Sequence, residues 1–324
     1  MKKIKTITQL RGVVLKRGLT MEYILETKAL SKRYRNFSAL NGLTMHIPKG
    51  SIYGFVGRNG AGKTTLIRLI CGLQEPSGGE YMLYGIKNKD KKIGEMRRRM
   101  GAVVESPAVY TEMTAEENLR QQNNILKETS RMKPAELLEL VGLGNTGKKK
   151  VKDFSLGMRQ RLGIAVALAG DPEFLVLDEP INGLDPQGII EMRELILKLN
   201  RECGITVLIS SHILDELSRL ATHYGFIDGG KIIKEMSSEE LEQRCRKSTY
   251  INVSDISALA KVLERMDIEY KIADENAAYI YSDVQVTRLV TELSKADCTV
   301  YSMKERDENL ESFYMNLIGG GNND

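Results

Sequence analysis

The sequence predicts an α/β protein followed by a smaller α+β unit. Three observations carry this. The runs "EFLVLD" (173–178) and "GITVLIS" (204–210) are β-branched and nearly wholly apolar, as buried parallel strands are. Helical patterns over Gly188 to Asn200 and Ile213 to Leu220 lie between and after them, and strands alternating with helices make a parallel sheet. Beyond residue 247 the order becomes strand, helix, two strands, helix, strand.

Bulk properties set limits first. The chain has 324 residues, 42% hydrophobic and 28% charged, enough for one large domain and a small one. It contains no apolar run of about 18 residues that could cross a bilayer. Its formal charge of +4 is local: residues 1–20 hold Lys2, Lys3, Lys5, Arg11, Lys16 and Arg17 and no acid. Without those six cations the balance is 41 basic to 43 acidic, so no broad nucleic-acid surface and no nucleic-acid partner is expected. The basic stretch lacks the apolar core of a signal peptide, and is read as a disordered extension or as sequence ahead of a true start at Met21. Cys71, Cys203, Cys245 and Cys298 are far apart and without metal-ligand spacing, which suits reduced thiols in the cytoplasm.

In chain order, "YILETKAL", "LTMHI" and "SIYGFVG" read as strands, and "KTTLIRLICGL" as a helix after a glycine-rich turn. "GEYMLYG" follows the turn "PSGG", and "GAVV" is a strand that stops at Glu105. Past Pro107 the chain turns helical over Glu116 to Lys127, Pro134 to Val141 and Leu156 to Ala169, an insert spanning 106–170 within a first domain of 21–236. Residues 237–247 read as a linker helix, with Ser237 and Glu240 at capping-box spacing. The last domain, 248–318, opens with "TYINVS". Ile256, Leu259, Leu263 and Met266 mark one face of its first helix. "IEYKIA" and "AAYIYS" are strands joined at Asp274–Asn276, and Val286, Leu289, Val290 and Leu293 line a second helix. "CTVYSMK" closes the set before a helix over Asn309 to Leu317, and "GGGNND" is a frayed tail. The order β-α-β-β-α-β is that of a ferredoxin-like plait.

The chemistry starts at Gly57-Arg58-Asn59-Gly60-Ala61-Gly62-Lys63-Thr64, which fits G-x-x-x-x-G-K-[ST] between a strand and a helix. A glycine loop arising by chance would lack those flanks. Successive backbone N–H groups, through Thr65, can curl around phosphate oxygens at the positive end of the helix. Lys63 then reaches the β- and γ-phosphates of ATP and Thr64 ligates Mg²⁺. Asp178 ends an apolar strand and aims its carboxylate at the Mg²⁺ shell, and Glu179 beside it can polarise an attacking water. Alone, such an acidic pair would be a solvated loop. With the phosphate loop it reads as catalytic.

Ser155-Leu156-Gly157-Met158-Arg159-Gln160, at the start of a helix, resembles the signature sequence of ABC-type ATPases. Phe154, Leu156, Met158 and Arg159 depart from the usual Leu-Ser-Gly-Gly-Gln pattern, and a plain capped helix is the alternative. Asn182-Gly183-Leu184-Asp185 resembles that family's D-loop. His212, after Ser211, resembles its switch histidine, which contacts the γ-phosphate. Tyr34 is placed like the aromatic that stacks on adenine. The resemblance covers Tyr23 to Met236 and implies an ABC-type P-loop ATPase domain. It also implies head-to-tail pairing with a second copy, in which Ser155 and Gly157 of one chain face the ATP of the other.

Glu105 stands where the family usually has Gln, whose side chain touches Mg²⁺ or water. With "SLGMRQRLGIA" and "LDEPINGLDPQG", it resembles the bacitracin-resistance and lantibiotic-immunity branch of ABC transporter ATP-binding subunits. The alternative is a neutral substitution in another ABC branch. The resemblance implies an ATP-hydrolysing exporter subunit, cytoplasmic and peripheral on the inner face of the cell membrane. A separate multi-span permease would be its partner and an antimicrobial peptide its cargo. A soluble ABC ATPase doing mechanical or regulatory work, or a sensor with vestigial hydrolysis, is the competing reading.

Overall fold

A computed structural model describes residues 22–127, 131–245, 248–281, 284–306 and 310–319. The basic stretch at 1–20 and the tail past Gly319 lie outside the described residues, as does the expected helix start at Asn309. The chain divides into two compact units between Ser238 and Glu239.

The first unit opens with two long strands, β1 (Tyr23–Tyr34) and β2 (Phe37–Pro48), and the short β3 (Ile52–Val56). Helix α1 (Lys63–Ile70) follows, then β4 (Gly78–Leu83), β5 (Ile86–Lys87), α2 (Ile93–Arg98) and β6 (Met100–Val103). The helical insert holds α3 (Ala115–Leu126), α4 (Pro134–Leu140) and α5 (Leu156–Leu168). The chain then alternates through β7 (Phe174–Asp178), α6 (Pro186–Arg201), β8 (Thr206–Ser211), α7 (Leu214–Ser218) and β9 (His223–Asp228). It leaves by β10 (Lys231–Ser237); α8 (Ser238–Arg244) starts at the boundary and lies, from Glu239 on, in the second unit.

Two sheets result, an antiparallel β2-β1-β4-β5 and a six-stranded β10-β9-β3-β8-β7-β6. In the larger sheet β9, β3, β8, β7 and β6 run parallel and β10 returns antiparallel. Every residue of β3, β7 and β8 is buried, which is why their sequences show no polar alternation. The insert leaves after β6 and comes back at β7, and those strands pair directly, Gly101 opposite Leu175. Helices are therefore added at one edge of the sheet without changing its strand order. Thr114 and Glu117 form a capping box on α3. Asp185 caps α6 and Pro186 fills its first position, so that helix starts two residues before the expected Gly188.

No strand is expected from the sequence over 223–228, yet β9 lies beside β3. Its short apolar run is broken by Gly225. The glycine is required there: a Cβ would lie 2.2 Å from the Tyr53 hydroxyl.

The second unit contains β11 (Ser248–Val253), α9 (Ile256–Arg265), β12 (Tyr270–Asp274), β13 (Ala277–Ile280), α10 (Val286–Lys295), β14 (Val300–Arg306) and α11 (Leu310–Ile318). Its antiparallel sheet has the order β12-β13-β11-β14, the plait topology. Ile251, Val253, Leu259, Leu263, Ile280, Leu289 and Leu293 form its core. The face expected on α10 is only half used: Leu289 and Leu293 are buried, while Val286 is 53% and Val290 39% exposed. The apolar stripe of this short helix is wider than what packs on it.

Candidate functional site

The site is assembled at the carboxyl ends of β3, β8 and β7, which lie side by side in parallel. Beyond β3 the chain turns through residues 57–62 into α1. Two glycines there have no substitute. A Cβ on Gly57 would sit 2.6 Å from Ile227 Cγ2, and one on Gly62 2.6 Å from the Ala39 carbonyl oxygen. Gly62 also has φ 112, closed to side-chain-bearing residues. Gly62 is the N-cap of α1, and that end carries no side-chain cap and no acidic residue in its first turn. By contrast Thr114, Ser155 and Asp185 cap α3, α5 and α6 with their own oxygens. The α1 terminus thus keeps its N–H groups and positive dipole for an external anion.

Lys63 is buried at 5% exposure. Its Nζ donates to the Gly57 carbonyl at 2.6 Å and the Arg58 carbonyl at 3.3 Å, and stands 3.2 Å from Glu179 Oε1. The second Glu179 oxygen is 2.8 Å from His212 Nδ1. Glu179 is therefore held between an ammonium from the phosphate loop and an imidazole from the end of β8. It adopts left-handed backbone, φ 51, a conformation that costs a non-glycine residue about 1 kcal/mol or more. Its N–H compensates by donating to both the carbonyl and the hydroxyl of Ser210, at 3.1 and 3.0 Å. That hydroxyl in turn donates to Asp178 Oδ1 at 2.6 Å. Ser210 orients both carboxylate-bearing residues, and the sequence reading missed it. The signal available was its place one strand over in register with Asp178, which only pairing reveals.

Thr64 and Thr65 are half-buried in the first turn of α1. Asp178, at 3% exposure, and Thr64 are hard oxygen donors of the kind Mg²⁺ takes alongside phosphate and water. Among the described residues no group of three or more His, Cys, Asp or Glu could hold a metal unaided. Thr64 and Asp178 are too few to fill such a cation's shell, and its remaining ligands would have to come from phosphate and water. Burial, reinforced by Asp178, pushes the nearby Cys71 thiol up to about 12, with Arg97 opposing, so it supplies no thiolate.

Of the remaining residues, Glu105 and Leu156 line a cavity together with Glu179 of this cluster. Tyr34 ends β1, and its hydroxyl donates to Gln74 Oε1, while Lys32 Nζ lies 5.3 Å from its ring centroid. Glu105 lies two residues past β6 and pairs with Arg68 of α1. Ser155 accepts from its own helix, at Met158 N, 3.2 Å away. Leu156 explains one departure from the signature pattern: its Cδ2 would lie 3.3 Å from a Cβ on Gly183, so it packs on the 182–185 turn. A Cβ on Gly157 would lie 3.7 Å from Leu184 Cδ2 of the same turn.

A family model described as ABC transporter matches residues 40–182. The bacitracin transport ATP-binding protein BcrA of Enterococcus faecalis is 39% identical over 94% of this chain and 99% of its own length. The lantibiotic transport ATP-binding protein SrtF of Streptococcus pyogenes is 43% identical over 68% of this chain and 95% of its own. Among solved structures, the dimeric ATP-binding cassette MJ0796 in a post-hydrolysis state with ADP and Pi aligns with a TM-score of 0.59. It is 26% identical, over 66% of this chain and 98% of that one.

Proposed function

This chain belongs to the ABC transporter family of ATP-binding proteins, and from that premise we propose that it is the ATP-hydrolysing subunit of an exporter. The observation that carries the hydrolytic part is Glu179 held between Lys63 and His212 at the open end of the sheet. The Gly57–Gly62 loop and the first turn of α1, through Thr64 and Thr65, cradle the phosphates, and Tyr34 stacks on adenine. Lys63 turns from the Gly57 carbonyl to the phosphates, which releases one oxygen of Glu179. That oxygen takes a proton from the water as the water's oxygen attacks the γ-phosphorus and the bond to the β-phosphate's bridging oxygen breaks, which releases ADP and phosphate. His212 holds the other oxygen, fixes the carboxylate's aim and reaches the γ-phosphate. Thr64 and Asp178, with Glu105 toward its water, would hold Mg²⁺, which when bound would supply charge neutralisation at the phosphates.

A second copy closes over the first, and its Ser155 and Gly157 complete the ATP site. No helix among the described residues is long and apolar enough to cross a membrane, so a separate multi-span permease forms the path. The chain works at the inner face of the cell membrane, and its cargo is an antimicrobial peptide. Support for transport and cargo is the likeness to bacitracin and lantibiotic transport proteins, the former along nearly the whole chain.

The test is recovery of the tagged chain from detergent-solubilised membranes of its own host. A multi-span protein co-purifying in near-equal amount is the expected result. Recovery from the soluble fraction alone would replace transport by a mechanical or regulatory ATPase.

A further inference from the structure

Glu105 carries a carboxylate to the edge of a site built for polyphosphate. It lines a cavity of about 340 Å³ together with Glu179, Gln160 and Asn182. Its backbone is left-handed, φ 60, so a side chain is kept where glycine would be easiest. One of its oxygens pairs with the guanidinium of Arg68. Arg68 lies one turn beyond Thr64 on α1, on the same helix face, and helical side chains lean toward the N-terminus. The guanidinium meets Glu105, a residue that lines the same cavity as Glu179. Both partners are well exposed, 36% and 56%, and an exposed pair adds little to folding stability.

We propose that Arg68 is a positioning residue for Glu105. It neutralises the carboxylate and holds one of its oxygens, leaving the other for the metal's water. The pair then acts as a net-neutral unit, and a carboxylate at this position does not repel ATP. This rests on the ATPase reading above.

The experiment measures equilibrium affinity for the fluorescent analogue mant-ATP with Mg²⁺ in the wild type, Arg68→Ala, Glu105→Gln and the double variant. Arg68→Ala should weaken binding roughly three- to tenfold at low salt, the size of one uncompensated charge near the phosphates. The loss should shrink as ionic strength rises, and Arg68→Lys should recover most of it. In the Glu105→Gln background, removing Arg68 should change affinity by less than about twofold. An equal loss in both backgrounds would make Arg68 a general support of α1 and overturn the proposal. No loss, or tighter binding, in Arg68→Ala would overturn it as well. A wild-type chain that binds no mant-ATP would instead defeat the ATPase reading itself.

Discussion

Glu179 shows how one residue can be held by its neighbours before it does chemistry. Its two oxygens are engaged by Lys63 at 3.2 Å and His212 at 2.8 Å, and its N–H by Ser210. An amide in its place would keep the shape and both contacts as hydrogen bonds but lose basicity. Glu179→Gln should therefore bind ATP within a few-fold of the wild type and hydrolyse it about 100-fold or more slowly. If closure of two copies precedes hydrolysis, ATP should also drive this variant to a doubled mass on a sizing column. Unchanged turnover would remove Glu179 from its role. The residues of this cluster differ in how they could be read. Lys63, Thr64 and Asp178 follow from a contiguous motif and a strand end. Ser210 and Arg68 act through partners that are 32 and 37 positions away, so no local spacing announces them.

The element that divides structure from function most sharply is the N-terminus of α5. Ser155 is its cap, through the contact with Met158 N. Loss of such a cap costs about 1 kcal/mol, or roughly 2–4 °C in a unit of this size. If Ser155 also faces the partner's ATP, Ser155→Ala should lower turnover well below what that destabilisation explains, with ATP affinity of the single chain unchanged. A small drop in melting temperature with full turnover would leave it a cap alone. Leu156 belongs to the same element, and its contact with Gly183 turns an apparent defect of the signature into packing between the insert and the 182–185 turn. Elements with strong local patterns, such as β7, β8 and the plait strands, were legible in sequence. β9 was not, because its interrupting Gly225 is dictated by Tyr53 on another strand. The outer half of the α10 stripe misled for the related reason that periodicity records an apolar face and not what covers it.

At the scale of the whole chain, the two units carry separate hydrophobic cores, one around residues such as Leu43, Phe55 and Val176, the other around Leu259, Leu289 and Leu293. All of the residues assigned to ATP lie in the first unit, before Ser238. Two cores with one ligand site predict two calorimetric transitions of which only one responds to nucleotide. Leu289→Ala, at a position with no exposure, should cost the second unit about 2–5 kcal/mol and lower its transition alone. Leu43→Ala, equally buried, should lower the other. ATP with Mg²⁺ at about 100 times its dissociation constant should raise the Leu43-sensitive transition by the equivalent of about 2.7 kcal/mol and leave the Leu289-sensitive one in place. One transition that both substitutions and ATP shift together would mean that the units unfold as a single cooperative body. The second unit would then contribute to the stability of the nucleotide site despite supplying none of the residues assigned to it.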